Sequence, residues 1–502
     1  MNTDIRLSGV LLHPTSFPSP YGIGELGDEA YQFIDFLESA GQRIWQILPL
    51  THTGYGDSPY QSFSAFAGQP LLISISHLIE LGLLKEDEVA DCPPFSTKQV
   101  EYGFVIPWKT AKLKLSYTRF PEMLKRDWVL RGAYEAFLAK SEHWIDDYAL
   151  FMSIKDANGG ISWLEWDDEY RVPTEAFKEK LKVRLADSIG YYKYIQFMFF
   201  YEWEKLKYYA NAHNVKIIGD IPIFVSMDSA DVWANPHLFR LDSKGYPLSV
   251  AGVPPDYFSA TGQLWGNPHY DWEAHKKDHF AWWISRIRTQ LKNVDILRID
   301  HFRGFEACWS IPYGDTDATG GKWIKSPGYE LFERVQEVLG DDLPIIAEDL
   351  GIITPEVDAL REHFHFPGMK VLQFAFEGTG ESSYLPHQFK NPTCVCYTGT
   401  HDNNTTIGWY DGLRTDCREK LLKYLRCTAA AKINWELIAL ALSSTAAFAI
   451  YPLQDVLSVG SEGRMNTPGK AAGNWSYRYE KGALLPEIAK ELSDLSKLYG
   501  RY

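Results

Sequence analysis

Residues 215–225 read VKIIGDIPIFV, and residues 294–299 read VDILRI before running on into Asp300. Both are short, unbroken apolar runs rich in β-branched residues. That is the pattern of a strand covered on both faces in a parallel sheet, not of a half-solvated strand. Working outward from this pair, six more such runs appear: 7–13, 43–50 (RIWQILPL), 343–347 (LPIIA), 369–376 (MKVLQFAF), 393–398 (TCVCYT) and 446–453 (AAFAIYPL). Helical stripes lie between them. Ala30, Phe33, Ile34 and Leu37 share one face, with Asp28 as the expected cap and Gly41 at the exit. Phe280, Trp283, Ile284, Ile287 and Leu291 lead into the fourth run. Eight strands alternating with helices predict an α/β fold, a (β/α)8 TIM barrel, with a doubly wound open sheet as the alternative.

The chain has 502 residues, whereas a plain barrel of this kind takes roughly 250. The surplus falls in two gaps. Residues 51–188 read as an insertion after the second strand, mostly helical by pattern, for example over 133–155. Residues 226–282, rich in Gly, Pro and Trp, read as a smaller insertion after the third strand. Both follow C-terminal strand ends, the face on which barrel enzymes carry their sites. The stretch beyond residue 453 is too short for a further β-domain. The expectation is therefore one catalytic barrel over residues 1–502 with no C-terminal β-domain.

Fifty Lys and Arg against 65 Asp and Glu give a net charge of −15. That balance argues against a nucleic-acid partner, which needs a basic face. No apolar run is long enough to cross a membrane, and the N-terminus lacks the pattern of a secretory signal. Six cysteines do not make a disulfide framework in a chain of this length. The expectation is a cytoplasmic protein without a membrane partner. Aromatic residues reach 15 %; most belong in the core, but Trp and Tyr also line sites that stack flat ligands.

Two local patterns mislead. Gly22, Gly24 and Gly27 have dinucleotide-fingerprint spacing, but the proline-rich stretch 14–21 separates them from the strand, where the fingerprint needs a tight turn. Asp315-x-Asp317 looks like half a calcium loop but has Ser326 where the closing Glu belongs. Nothing has zinc-ligand spacing, so no metal and no cofactor is expected.

The strong signal is acidic residues at strand ends. The fourth run ends Arg298-Ile299-Asp300-His301, the fifth Ala347-Glu348-Asp349, and the seventh Gly399-Thr400-His401-Asp402. Any one of these carboxylates could be a helix cap or half of an ion pair, and Arg298 makes the second reading concrete for Asp300. Three of them on three strands of one barrel converge over its mouth. Glycoside chemistry needs that grouping, with one carboxylate to attack the anomeric carbon and one carboxylic acid to protonate the leaving oxygen.

RIDHFRG, IIAEDLG and TGTHDNNT resemble the nucleophile, acid/base and third-acid motifs of the 4-α-glucanotransferases called amylomaltases or disproportionating enzymes, in the α-amylase clan. SFPSPYGIGELG, GYGDSPYQSFSAFAG, GDIPIFVSMDSADVW, GQLWGNPHYDW and GNWSYR are also similar to that family and occur in its order. The resemblance implies that Asp300 is the nucleophile, Glu348 the acid/base and Asp402 the stabiliser of a distorted donor sugar. It implies Arg298 as the residue holding Asp300 ionised, and His301 and His401 near donor hydroxyls. Asp220 should bind sugar hydroxyls or Arg298. Tyr60, with Ser58 beside it, matches a donor-side stacking residue. Trp265, with Gln263, matches an acceptor-side aromatic, and Asn474 matches an amide that meets a sugar hydroxyl. The expected activity is a retaining 4-α-glucanotransferase working on α-1,4-glucans and maltooligosaccharides with glucose as one acceptor. An α-1,4-glucan hydrolase with the same three acids is the alternative.

Overall fold

The structure is a computed structural model and describes residues 5–255, 259–378, 382–427, 432–470 and 472–502. Eight parallel strands form its centre: β1 (Leu7–Leu11), β2 (Ile44–Gln46), β3 (Lys216–Pro222), β4 (Ile296–Asp300), β5 (Ile345–Ala347), β6 (Gly368–Val371), β7 (Cys394–Tyr397) and β8 (Phe448–Pro452). Each falls within or against one of the eight apolar runs. The hydrogen-bonded order is β6-β7-β8-β1-β2-β3-β4-β5. The Ala347 N–H at one edge donates to the Pro367 carbonyl at the other, at 2.9 Å. That bond brings the two edges together and answers the open-sheet alternative: the sheet curls into a barrel. Because neither face meets water, residues such as Ile217, Ile218, Leu297, Ile299, Ile345 and Ile346 are all buried, which is why the runs show no alternation.

Helices Asp28–Ser39, Ala186–Ala212, Ala281–Asn293, Gly328–Leu339 and Pro355–His363 fill the first five strand-to-strand connections. The next differs. Between β6 and β7 the described residues form only 3-10 turns, at Leu372–Phe376 and Pro386–Gln388. Pro386 and Pro392 remove backbone donors there and oppose a longer helix. The tail of the sixth apolar run is thus a turn and not strand. Two further details differ from the sequence reading. Gly27, not Asp28, caps the first helix, since Asp28 already has helical geometry and serves as an acid in the first turn. The helical stretch 133–155 is two helices, Trp128–Ser141 and Ile145–Ala157, broken at residues 142–144.

Between β2 and β3 the chain adds helices including Ile75–Glu80, Tyr102–Tyr117, Phe120–Arg126 and Glu175–Arg184. The excursion after β3 is not mainly helical. It contributes Ser249–Val253 and Gln263–Pro268 to a four-stranded antiparallel sheet, completed after β4 by Ala307–Pro312 and Lys322–Lys325. After β8 the described residues hold helices and turns and no further strand. None of the described helices is long and apolar enough to cross a membrane.

The Gly22-Gly24-Gly27 pattern has a packing reason. Gly22 sits at φ +82, and a Cβ on Gly24 would lie 1.9 Å from the Pro14 carbonyl oxygen. Gly24 lets the loop after β1 fold onto itself, while a Cβ on Gly22 would meet Phe95 and Val105 and one on Gly27 would meet Ser74.

Arg501 is fully buried and donates to the carbonyls of Leu7, Leu442, Ser444, Ala446 and Ala447, at 2.7–3.2 Å. It ties the starts of β1 and β8 together. Arg501→Met removes all five of these bonds, although Arg6 still donates to the Leu442 and Ser444 carbonyls and the Leu7 N–H to that of Ala447, and is expected to cost about 3 kcal/mol. Urea unfolding followed by circular dichroism checks this; an unchanged midpoint would contradict it.

Candidate active site

β4 presents Arg298 and Asp300 on the same side, two residues apart. Arg298 Nη2 donates to Asp300 Oδ1 at 2.9 Å, and Nη1 donates to Asp220 Oδ2 at 2.5 Å. Asp220 is the register partner of Arg298 on β3. Its Oδ2 also accepts the Tyr60 hydroxyl at 2.8 Å. Side-chain exposures of 4 % for Arg298 and 0 % for Asp220 put both beneath the floor of the cleft. Of the two partners considered for Asp220, sugar hydroxyls and Arg298, the structure supplies the second. Burial raises the Asp220 carboxyl while Arg298 pulls it back. Burial also opposes the charge on Arg298, but Asp220 and Asp300 outweigh it.

Glu348 follows β5, locked to β4 by its own N–H on the Ile299 carbonyl at 3.0 Å. Its side chain accepts the N–H of His301 on Oε2 and the N–H of Leu350 on Oε1, both at 2.8 Å. His301 takes left-handed backbone geometry, φ 53 and ψ 47. That conformation is uncommon for a non-glycine residue and clusters at functional sites. Here it accompanies a direct link from the residue after Asp300 to Glu348. Burial, and then the negative charge of Asp300, push the Glu348 carboxyl up to about 8, against Arg298 and the two N–H bonds.

Asp402 follows β7. Its Oδ1 accepts the Asn466 amide at 2.6 Å and lies 3.4 Å from His401 Nε2. Arg464 Nη2 donates to the Asp402 carbonyl at 2.7 Å. Sequence reading missed Asn466, Arg464 and the neighbouring Gln61, because loop residues carry no period. The one signal was that Asn466 and Arg464 lie close before Gly473-Asn474-Trp475.

Asp300 and Asp402 open on a cleft of about 350 Å³, and Ser58, Tyr60, Gln263, Trp265, His301, His401 and Asn474 also line it. Glu348 is partly exposed, with each oxygen also held by a backbone donor. The Tyr60 ring stacks on His401, 5.3 Å apart and 16° off parallel, with Trp475 tilted against it at 5.8 Å. Ser58 Oγ accepts the Tyr60 N–H at 3.3 Å. On the opposite wall Trp265 meets His301 edge-on at 4.9 Å and donates to Gln263 Oε1 at 3.1 Å. His301 is neutral, because burial lowers its pKa to about 4, and its Nε2 has no protein partner among the described residues. Asn474 lines the cleft and also braces it. Its Oδ1 accepts the Thr467 N–H and its Nδ2 donates to the Lys470 carbonyl, so its amide braces the loop at the cleft edge. Among the described residues no group of three His, Cys, Asp or Glu side chains is placed to hold a metal ion.

Acidic side chains at the C-terminal ends of β4, β5 and β7 of a barrel, beside a cleft walled by aromatic rings, define a glycoside-processing enzyme. The sequence profile of the 4-alpha-glucanotransferases, glycoside hydrolase family 77, matches residues 12–484. The chain belongs to that family. It is 49 % identical to a 4-alpha-glucanotransferase of Synechocystis, covering 99 % of this chain and 98 % of the relative. It is 47 % identical to one of Thermus thermophilus, covering 98 % of each. In three dimensions it is similar to the amylomaltase of Streptococcus agalactiae solved with acarbose, at a TM-score of 0.95, 39 % identity and 99 % coverage of both chains.

Proposed function

We propose that the cleft cuts an α-1,4-glucan and passes the cut segment to the 4-hydroxyl of a second glucan or of glucose. The observation that carries this is the division of labour between two carboxyls. Asp300 is paired to the Arg298 guanidinium at 2.9 Å, while burial and the neighbouring Asp300 push the Glu348 carboxyl up to about 8. A carboxylate held by a guanidinium beside a carboxyl with a raised pKa is what a retaining exchange needs.

In the first step an Asp300 carboxylate oxygen bonds to the anomeric carbon of the donor, and the bond from that carbon to the glycosidic oxygen breaks. Glu348 gives its proton to that oxygen, so the leaving glucan departs with a free 4-hydroxyl. In the second step the 4-hydroxyl of an acceptor attacks the same carbon. Its proton goes to Glu348, and the Asp300 ester bond breaks. Asp402 would hold the donor sugar in its distorted form. Tyr60 and Trp265 would serve as platforms on the two sides of the cleft, with Ser58, Gln263, His301 and His401 reaching hydroxyls. Arg298 and Asp220 would act one layer below, by fixing Asp300 and Tyr60. No step calls on a cofactor.

Water competes with the acceptor for the second step. Hydrolysis, the alternative drawn from the sequence, is not favoured for a member of this family. Insertions 51–188 and 226–282 on one catalytic barrel are the parts of the chain able to exclude water from the mouth. A cytoplasmic location belongs to the same proposal, since all six cysteines are free thiols, as suits a reducing compartment. Incubation with maltotriose tests the activity. The expected result is glucose plus a ladder of longer oligosaccharides; reducing ends rising as fast as bonds are cut would mark a hydrolase.

A further inference from the structure

Three hydrogen bonds tie residues 401–402 to a short segment far along the chain, and a fourth braces that segment internally. Asn466 Nδ2 donates to Asp402 Oδ1 at 2.6 Å, and the Asn466 N–H donates to the His401 carbonyl at 3.0 Å. Arg464 Nη2 donates to the Asp402 carbonyl at 2.7 Å, and Arg464 Nε to the Asn466 carbonyl at 2.7 Å. Arg464 thus clamps both ends of the Asn466–Asp402 contact. Without the contact, Asp402 has little to fix it: its side chain is 46 % exposed, and His401 Nε2 is 3.4 Å away. A carboxylate on a half-exposed side chain turns among rotamers unless a donor selects one.

The same segment is part of the cleft. Asn466, Thr467, Pro468, Gly469 and Lys470 line it, as do Trp265 and Gln263. Asn474 braces them from behind, and the Trp475 N–H on the Met465 carbonyl at 2.7 Å closes the loop on itself. Wall and carboxylate are one hydrogen-bonded unit. A glucan resting on residues 466–470 presses on the group that aims Asp402.

We propose that Asn466 is a positioning residue that sets the rotamer of Asp402 by occupying Oδ1 and leaving Oδ2 to the substrate, with Arg464 holding Asn466 in register. This rests on the assignment of Asp402 as the third acid. Neither residue touches a reacting atom. Their effect passes through Asp402, so it belongs in the turnover rate and not in ground-state affinity.

A double-mutant cycle on the full chain, with maltotriose as substrate, tests the inference. Asn466→Ala is expected to lower kcat roughly 10- to 100-fold, the loss set by one hydrogen bond to a charged group, with KM changed less than about three-fold. In an Asp402→Asn background, adding Asn466→Ala should cost almost nothing more, because the group it positions is already disabled. Asn466→Ser, which keeps a short donor, should recover part of kcat. Arg464→Met should repeat the pattern more weakly. Thermal unfolding of each variant separates a folding defect from a positioning one. Equal losses from Asn466→Ala in both backgrounds, or a loss carried by KM alone, would overturn the inference. Asp402→Asn with wild-type turnover would instead remove the assignment of Asp402 beneath it, a separate failure read from the single variant.

Discussion

Asp300→Asn is expected to lower kcat/KM for maltotriose by about four orders of magnitude or more while leaving the fold intact. The substitution keeps the size of the side chain and an oxygen that can accept from Arg298, so the 2.9 Å contact has a neutral replacement. What it removes is the charged oxygen that forms the bond to the anomeric carbon. It also removes the negative charge that, after burial, raises the Glu348 carboxyl. Nucleophile and acid therefore fail together, and the loss should exceed that from Arg298→Lys, which keeps the positive charge but cannot grip Asp220 and Asp300 at once. Initial rates of glucose release give the comparison. An Asp300→Asn enzyme within ten-fold of wild type would remove Asp300 from the reaction.

Glu348→Gln separates donors by their leaving groups. With maltotriose the departing sugar oxygen needs a proton, and the expected loss is on the order of 10²- to 10⁴-fold. With maltosyl fluoride, whose leaving group departs without one, the first step should proceed at a rate within about ten-fold of wild type. The pH dependence carries the same signature. An acid works only while it holds its proton, so kcat/KM on maltotriose should fall as pH rises through about 8, the value to which burial and Asp300 push Glu348. In Glu348→Gln with the fluoride donor that alkaline limb should be absent. Equal losses on the two donors, or an alkaline limb that survives the substitution, would contradict the acid role.

The barrel was legible because its strands are covered on both faces, and eight unbroken β-branched runs left little else for them to be. The antiparallel sheet was not. Ser249–Val253 pairs with Ala307–Pro312 across the whole of the helix Ala281–Asn293 and strand β4, and a pairing that distant leaves no local pattern. Its edge strand Lys322–Lys325 reads KWIK and is largely exposed, so it lacks an apolar run to announce it. The three acids were visible because strand ends are visible. Their surroundings were only half readable. Alternation along β4 puts Arg298 and Asp300 on one side but says nothing of depth, and depth is what moves Arg298 and Asp220 from the wall of the cleft to its foundation. Asn474 shows the same limit: a motif names the residue, while only the fold shows that its amide also braces Thr467 and Lys470. Asn466 lies in a loop with no period and becomes visible only when the chain brings it back to β7.

The central claim is that Asp300 becomes covalently bonded to the donor sugar. Its most direct measurement is mass spectrometry of Glu348→Gln protein quenched during turnover of maltosyl fluoride, followed by digestion and peptide mapping. The account predicts protein heavier by one maltosyl unit, with the label on Asp300 and persisting when maltose is added, because Glu348→Gln also removes the base that takes the acceptor's proton. Unlabelled protein during active turnover, or a label on any other residue, would contradict it.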